Sequence, residues 1–337
     1  MRFRARAAHF IDRSAIAAWS LAVALSVGTA PALAQELWFS PPDDHPRGQE
    51  HFTLAEGFTR MFEHPEDWPF ALSHIKVFGI DTSLAIDGPE DKLRRIFQVL
   101  KDHRVAVNVG LQSVYTEGCG KGIEGLVQVQ HFPGDVARRL KRFGFDVAYF
   151  SLDGPLAFGH IYKGREACGY SVAEVARRLA YTVRDVRASY PDAKFIDYEG
   201  PTDLPLDQWV PTYREWLDDY RAETGTELDG MAIDTSWHRD WRGASPPTIE
   251  LLHAHGAKAG IFVTATGGPT VTDESWLNEA RQNTRDVVAA NLPVDFVVIA
   301  SWMLHPRRLV PETDPMTLTN LVDWYVHYRQ GGAAPGR

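Results

Sequence analysis

One pattern recurs along the chain and leaves few folds open to it. A short apolar run closes on an acidic or amide residue, and a helix-like segment follows. The run ends read Gly79-Ile80-Asp81, Gly110-Leu111-Gln112, Ser151-Leu152-Asp153, Asp197-Tyr198-Glu199 and Ala232-Ile233-Asp234. Strands that alternate with helices build parallel βα units. Such sheets keep their functional groups at the carboxyl ends of the strands. The pattern therefore predicts an enzyme with several acids converging on one pocket.

Short β-branched or aromatic runs place strands near 36–40, 74–80, 105–111, 146–152, 193–198, 229–233, 258–264 and 295–301. Helices are predicted at Leu54–Phe62, Glu90–Asp102, Gly134–Phe143, Ser171–Ser189, Asp207–Thr224, Thr248–His255, Asp273–Asn291 and Thr317–Tyr328. Ser171, with Glu174 three residues on, has the spacing of a capping box. Eight strand–helix repeats predict an α/β chain folded as a (β/α)8 TIM barrel. No Gly-rich dinucleotide loop follows the first strand, which counts against a doubly wound sheet.

Alternate residues of a strand face opposite sides. One side reads apolar throughout: Phe78 and Ile80; Val107, Val109 and Leu111; Ala148, Phe150 and Leu152; Ile196 and Tyr198; Met231 and Ile233. That side is expected to meet the helices. The other side mixes small and polar residues and is expected to face the barrel axis. Asp81, Gln112, Asp153, Glu199 and Asp234 would then point inward at the mouth, with Asp197 one step deeper.

The two ends of the chain read differently from its middle. Arg2, Arg4, Arg6 and Arg13 make a basic start, Ala15 to Ala30 is nearly all apolar or small, and Ala32-Leu33-Ala34 fits the A-x-A cleavage rule. Residues 1–34 are expected to be a secretory signal peptide, which puts the mature protein in a periplasm or outside the cell. A membrane anchor is the alternative, but the run is short for a span and ends in a cleavage site. No later segment is apolar and long enough for membrane insertion. Residues 35–328 are expected to form one barrel domain and 329–337 a disordered tail.

The leader holds four Arg and one Asp, so the net charge of −9 for the whole chain becomes −12 from Gln35 onward. A chain this acidic is a poor candidate for binding nucleic acid or an anionic membrane. The charge also argues against a strongly acidic polysaccharide. The two cysteines, Cys119 and Cys168, lie in Gly-containing loops that the barrel places after adjacent strands on one face. In an exported protein they are expected to form a disulfide rather than a metal site. A pair of buried free thiols is the alternative.

The strand ends supply the candidate chemistry. Asp153 and Glu199 are each followed by Gly-Pro, a sharp turn that exposes the acid, and Asp234 is followed by Thr235, Ser236, Trp237 and His238. Two carboxylates flanking a glycosidic bond can act as acid and base, or as acid and nucleophile. Crowding several acids together raises the pKa of one, as a proton donor requires. Asp197 reads as a supporting partner and Asp81 as a ligand for a substrate hydroxyl. Trp237, Trp241 and Trp302 fall in mouth loops beside His238 and His305, where rings can pack on sugar C–H faces. Asn108, Gln112 and Tyr149 add hydrogen-bonding groups. Any one acid can instead simply hold loop backbone, and any one Trp can be a loop anchor. Asp43-Asp44-His45 follows the first strand but has no second histidine cluster at ligand spacing, so no metal site is assigned. No G-x-S-x-G elbow, phosphate loop or cofactor fingerprint is present, and no cofactor is expected.

On these residues the chain resembles the secreted bacterial (β/α)8 glycoside hydrolases, over essentially the whole barrel and at the level of architecture and site composition. The largest clan of such enzymes places catalytic glutamates after strands four and seven. Here strand four ends in Asp153, and strand seven in Val263-Thr264-Ala265-Thr266 without an acid. Another clan, which includes α-galactosidase-like enzymes, uses aspartates after strands four and six, the positions of Asp153 and Asp234. That resemblance implies Asp153 as nucleophile and Asp234 as acid/base, with Asp153 and Glu199 as the rival pair. It implies an oligosaccharide or polysaccharide substrate. Two other readings remain: a non-catalytic glycan-binding barrel that holds sugar through Trp237 and Trp302, and a metal-dependent hydrolase using Asp43, His45 and the mouth acids.

Overall fold

The structure, a computed structural model, describes residues 35–44, 55–268, 270–302 and 305–331. The expected leader, His45 and residues 332–337 of the expected tail lie outside the described residues. The strands in chain order are β1 (Glu36–Ser40), β2 (Ile75–Ile80), β3 (Ala106–Leu111), β4 (Val114–Tyr115), β5 (Leu126–Val127), β6 (Tyr149–Asp153), β7 (Lys194–Glu199), β8 (Gly230–Ile233), β9 (Lys258–Val263) and β10 (Phe296–Ala300). The helices are α1 (Phe58–Glu63), α2 (Pro69–His74), α3 (Thr82–Asp87), α4 (Glu90–Asp102), α5 (Phe132–Arg142), α6 (Val172–Arg187), α7 (Leu206–Thr224), α8 (Trp241–Ala254), α9 (Asp273–Ala290) and α10 (Leu318–Arg329). Eight strands close a parallel barrel in the order β1-β10-β9-β8-β7-β6-β3-β2, and β2 pairs back onto β1. Strands β4 and β5 form a separate two-stranded ribbon in the segment after β3. The architecture is a (β/α)8 barrel, as the repeat pattern predicts.

Two apolar layers hold it. Outside the strands, residues such as Phe78, Val109, Phe150, Phe195, Ile233 and Ile261 pack against buried helix faces. On α4 that face is Leu93, Ile96, Phe97 and Leu100, spaced at three and four residues as a helix stripe requires. Inside the barrel, Trp38, Val77, Ile196, Ala232, Phe262, Phe296 and Val298 form a second cluster. Trp38 stacks on Phe296 at 4.4 Å between ring centres and tilts against Tyr149 at 4.8 Å. Gly260 makes room for this floor, because a Cβ there would lie 2.2 Å from the Phe296 ring. Nearer the mouth, Tyr198 meets Phe262 edge-on at 4.8 Å, and Phe262 meets Trp302 at 5.4 Å. These rings close the barrel beneath the mouth.

Three local expectations need correction. In β7 the sides are reversed: Ile196 and Tyr198 face the axis, while Phe195 and Asp197 face the helices. Asp197 Oδ2 accepts hydrogen bonds from Tyr213 OH (3.0 Å) and Trp216 Nε1 (2.9 Å) of α7, which hold this oxygen on the helix side. At α6, Ser171 accepts from Glu174 N at 3.2 Å, but the Glu174 carboxylate turns to Arg177 and Arg178 instead of completing the box. A reciprocal box forms at Thr272 and Ser275, before α9. Helix α8 starts seven residues ahead of the expected Thr248, at Trp241, because Asp240 caps it by accepting from Gly243 N at 2.9 Å. Pro246 and Pro247 then fall within its second turn, where the Ser245 and Thr248 hydroxyls bond back to the Trp241 and Ala244 carbonyls.

Cys119 and Cys168 are joined, with their Cα atoms 5.2 Å apart. The bond ties the segment after β3 to the segment after β6. Among the described residues no helix is long and apolar enough to cross a membrane.

Candidate active site

Asp153 is the last residue of β6, aligned with Tyr198 of β7. Gly154 follows at φ +50°, and its N–H donates to Tyr198 O at 3.0 Å. Pro155 then opens a helical turn, so the chain leaves the strand abruptly and the carboxylate stays at the mouth. Burial, then the negative charges of Glu124, Asp234 and Asp81, hold the Asp153 carboxyl well above the usual carboxylate range. Beneath it, Asn108 Nδ2 donates to Ser151 Oγ (3.0 Å) and Tyr198 OH (2.9 Å), three inward-facing groups from β3, β6 and β7.

Asp234 follows β8, and its N–H donates to Glu199 O at 2.8 Å. The side chain meets solvent in the open mouth. The surrounding walls, then Asp203 and Glu124, raise its carboxyl to about 6. Asp203 pairs loosely with Arg239 across 3.8 Å. Asp81 caps α3, accepting from Ser83 N at 2.8 Å. The structure thus brings Asp81, Asp153 and Asp234 to one mouth.

It also brings Glu124, which the strand pattern does not reveal. Glu124 sits in the loop between β4 and β5, beside Gly125 at φ +73°. A Cβ on Gly125 would lie 2.1 Å from Asp153 O, so only glycine lets this loop lie against the end of β6. The signal available in the sequence was the glycine-rich run Gly118, Gly120, Gly122 and Gly125 around a cysteine, which marks a tightly folded loop.

Three expected site residues are elsewhere. Glu199 is 1 % exposed and faces away from the axis, accepting from Leu156 N (2.5 Å) and Ala157 N (3.1 Å). Burial and the Asp197 charge push its carboxyl well up, and those two N–H groups oppose the shift. Asp197, enclosed against α7, is pushed up to about 7 by burial despite its bonds to Tyr213 and Trp216. Neither carboxylate opens on the mouth. Tyr149 lies at the opposite end of the barrel. Its ring packs on Trp38, and the charges near its hydroxyl are Lys258, Glu36 and Asp229, all at the amino ends of strands. Parity points Tyr149 inward, but its place as the first residue of β6 puts it at the bottom.

The remaining candidates form a rim. Gln112 is exposed after β3. Trp302 packs on Phe262, and Trp237 packs edge-on against Trp241 at 5.5 Å. His238 Nε2 lies 3.1 Å from Thr266 Oγ1, which donates to Glu279 at 2.8 Å. His305 Nδ1 contacts Asp273 Oδ1 at 2.5 Å, tying the segment after β10 to the start of α9. Asp44 is taken by Lys92 and by the Thr59 hydroxyl at 2.6 Å. Among the described residues no group of three or more His, Cys, Asp or Glu is placed to hold a metal ion.

The sequence matches no protein-family model and no curated protein. Solved structures do resemble the fold. A glucosidase from Croceicoccus marinus aligns with TM-score 0.53 and 12 % identity, covering 86 % of this chain and 68 % of that one. A GH10 endoxylanase retrieved from a sugarcane soil metagenome aligns with TM-score 0.51 and 9 % identity, covering 87 % and 98 %. The chain is therefore similar in fold to (β/α)8 glycoside hydrolases, and it has the closed eight-stranded barrel on which those enzymes are built.

Proposed function

We propose that the protein is an exported glycoside hydrolase in which Asp153 and Asp234 form the reacting pair. The observation that carries this reading is the placement of both aspartates at the carboxyl ends of barrel strands, with carboxyl pKa values raised to different extents. Groups pushed apart in this way can hold opposite protonation states at one pH. Asp234 is raised only to about 6, and Asp153, crowded by Glu124, Asp234 and Asp81, is the one of the pair held toward its protonated form. Asp153 then donates its proton to the glycosidic oxygen as the C–O bond breaks. Asp234, ionised, either takes a proton from the water that attacks the anomeric carbon or attacks that carbon itself, forming a glycosyl ester that water then hydrolyses. This order reverses the roles implied by the α-galactosidase-like resemblance. The larger shift on Asp153, fed by Glu124, Asp234 and Asp81, favours it as the donor.

The substrate class follows from the walls. Trp302 and Trp237 offer ring faces for sugar C–H surfaces, while Asp81, Gln112 and His238 offer hydrogen-bonding groups. The likeness to a glucosidase and an endoxylanase supports a carbohydrate substrate. The leader-like residues 1–34 and the disulfide support export.

The test is reducing-end release by residues 35–337 across a panel of polysaccharides and oligosaccharides, beside Asp153→Asn and Asp234→Asn. Each variant is expected to lose roughly 10²–10⁴-fold in turnover while remaining folded. Glycan binding without release, equal in the parent and Asp153→Asn, would instead identify a binding barrel.

A further inference from the structure

Glu199 is a buried acid whose carboxylate does not open on the mouth, yet it touches both arms of the proposed site. Its backbone oxygen accepts from Asp234 N at 2.8 Å. Its side chain accepts from Leu156 N and Ala157 N, in the turn that leaves Asp153. We infer that Glu199 is a positioning residue: its carboxylate caps the helical turn that begins at Pro155 and so fixes the chain just after Asp153. The inference rests on the glycosidase reading for its consequence in catalysis, but its geometry can be tested apart from that reading.

The turn needs a cap from outside. The first N–H groups of any helical turn lack partners within it. Pro155 has no N–H, which leaves Leu156 and Ala157 as the orphan donors. The residue that would ordinarily cap them is Gly154, which has no side chain. None fits there, because the backbone is at φ +50° and a Cβ would lie 2.6 Å from the Phe158 ring. The turn is nevertheless closed, with Phe158 N donating to Gly154 O at 2.9 Å. Glu199 supplies the missing acceptor from the neighbouring strand. Each oxygen takes one N–H at its shortest contact. The geometry also accounts for β7 placing an acid on its helix side. The side chain must pass outside Asp153 to reach amides that lie beyond it.

Glu199→Gln is nearly isosteric and keeps one acceptor oxygen, but it sets an NH2 group against the second N–H. In that variant kcat is expected to fall about 10–10²-fold with KM within about twofold, as expected for a small misplacement of a reacting group. Backbone amide exchange in the 153–162 segment, read by mass spectrometry, should speed up. Glu199→Ala should show both effects more strongly. Wild-type exchange in Glu199→Gln overturns the inference, whether or not kcat falls. A loss seen wholly in KM overturns it as well. If the parent protein releases no reducing ends from any glycan, the glycosidase reading fails alone. The exchange comparison then still decides whether Glu199 holds the turn.

Discussion

At the scale of single residues, the mouth acids are held against their own repulsion, and that should show in stability. A carboxyl whose folded pKa is raised favours folding below its unfolded pKa and loses that contribution as pH climbs through the folded value. For Asp234 the window runs from about 3.8 to about 6, and for Asp153 it extends higher. Asp153→Asn and Asp234→Asn should therefore unfold at a higher temperature than the parent at pH 8, by about 2–4 °C. The gain should vanish near pH 4, and thermal scans across pH would show it. Glu124 acts on the same charges. Its negative charge raises both Asp153 and Asp234, so Glu124→Gln should move the pH optimum of turnover downward. An upward move would contradict the arrangement. Asp81, Asp153 and Asp234 were legible because each ends an apolar run. Glu124 was not, since nothing in a loop sequence says which wall it leans on. Asp197 and Glu199 misled for a physical reason: polar residues in a strand suggest a wet face, but Tyr213 and Trp216 donate to Asp197 Oδ2, and two backbone N–H groups to Glu199, in the dry layer.

At the scale of elements, the segment between β3 and α5 acts as a wall, and two of the points that fasten it can be tested apart. One is the Cys119–Cys168 bond, which spans 49 residues of sequence. By chain entropy a closed loop of that length contributes about 4 kcal/mol. The double variant Cys119→Ser, Cys168→Ser should lose stability of that order, and reductant should reproduce the loss in the parent. The other point is Gly125 against the end of β6. Gly125→Ala adds a clash with Asp153 O to the strain of positive φ, whereas Gly122→Ala, with open space around it, adds only strain. Gly125→Ala should cost about 1–3 kcal/mol and lower turnover, and Gly122→Ala should cost about 1 kcal/mol and leave turnover alone. Denaturant melts beside activity assays would separate the two. The long helices were legible from periodicity, and α4 matches its expected span. Short α2 and α3 were not, because six residues carry too little of a helical stripe to stand out. The start of α8 was hidden by a Pro-Pro pair, which in general stops a helix but here lies inside its second turn.

At the scale of the whole molecule, the barrel was legible because its repeat is long-range and redundant: any one misread strand leaves seven to keep the count. The pattern said less about which end a given residue occupies, as Tyr149 shows. Ring closure also brings the first and last described segments side by side. Gln35 Oε1 accepts from Tyr325 OH at 2.9 Å and from Arg329, both on α10. The barrel therefore has no privileged first strand, and the order in which its units are written along the gene is one choice among several. A permuted chain that joins residue 331 to residue 35 through a short Gly-Ser linker and opens between the exposed Gly225 and Thr226 should fold to the same secondary-structure content. Circular dichroism and turnover would check it, because the new ends lie at the amino end of β8, away from Asp153. The chain could then be cut and rejoined at its base with the mouth left whole.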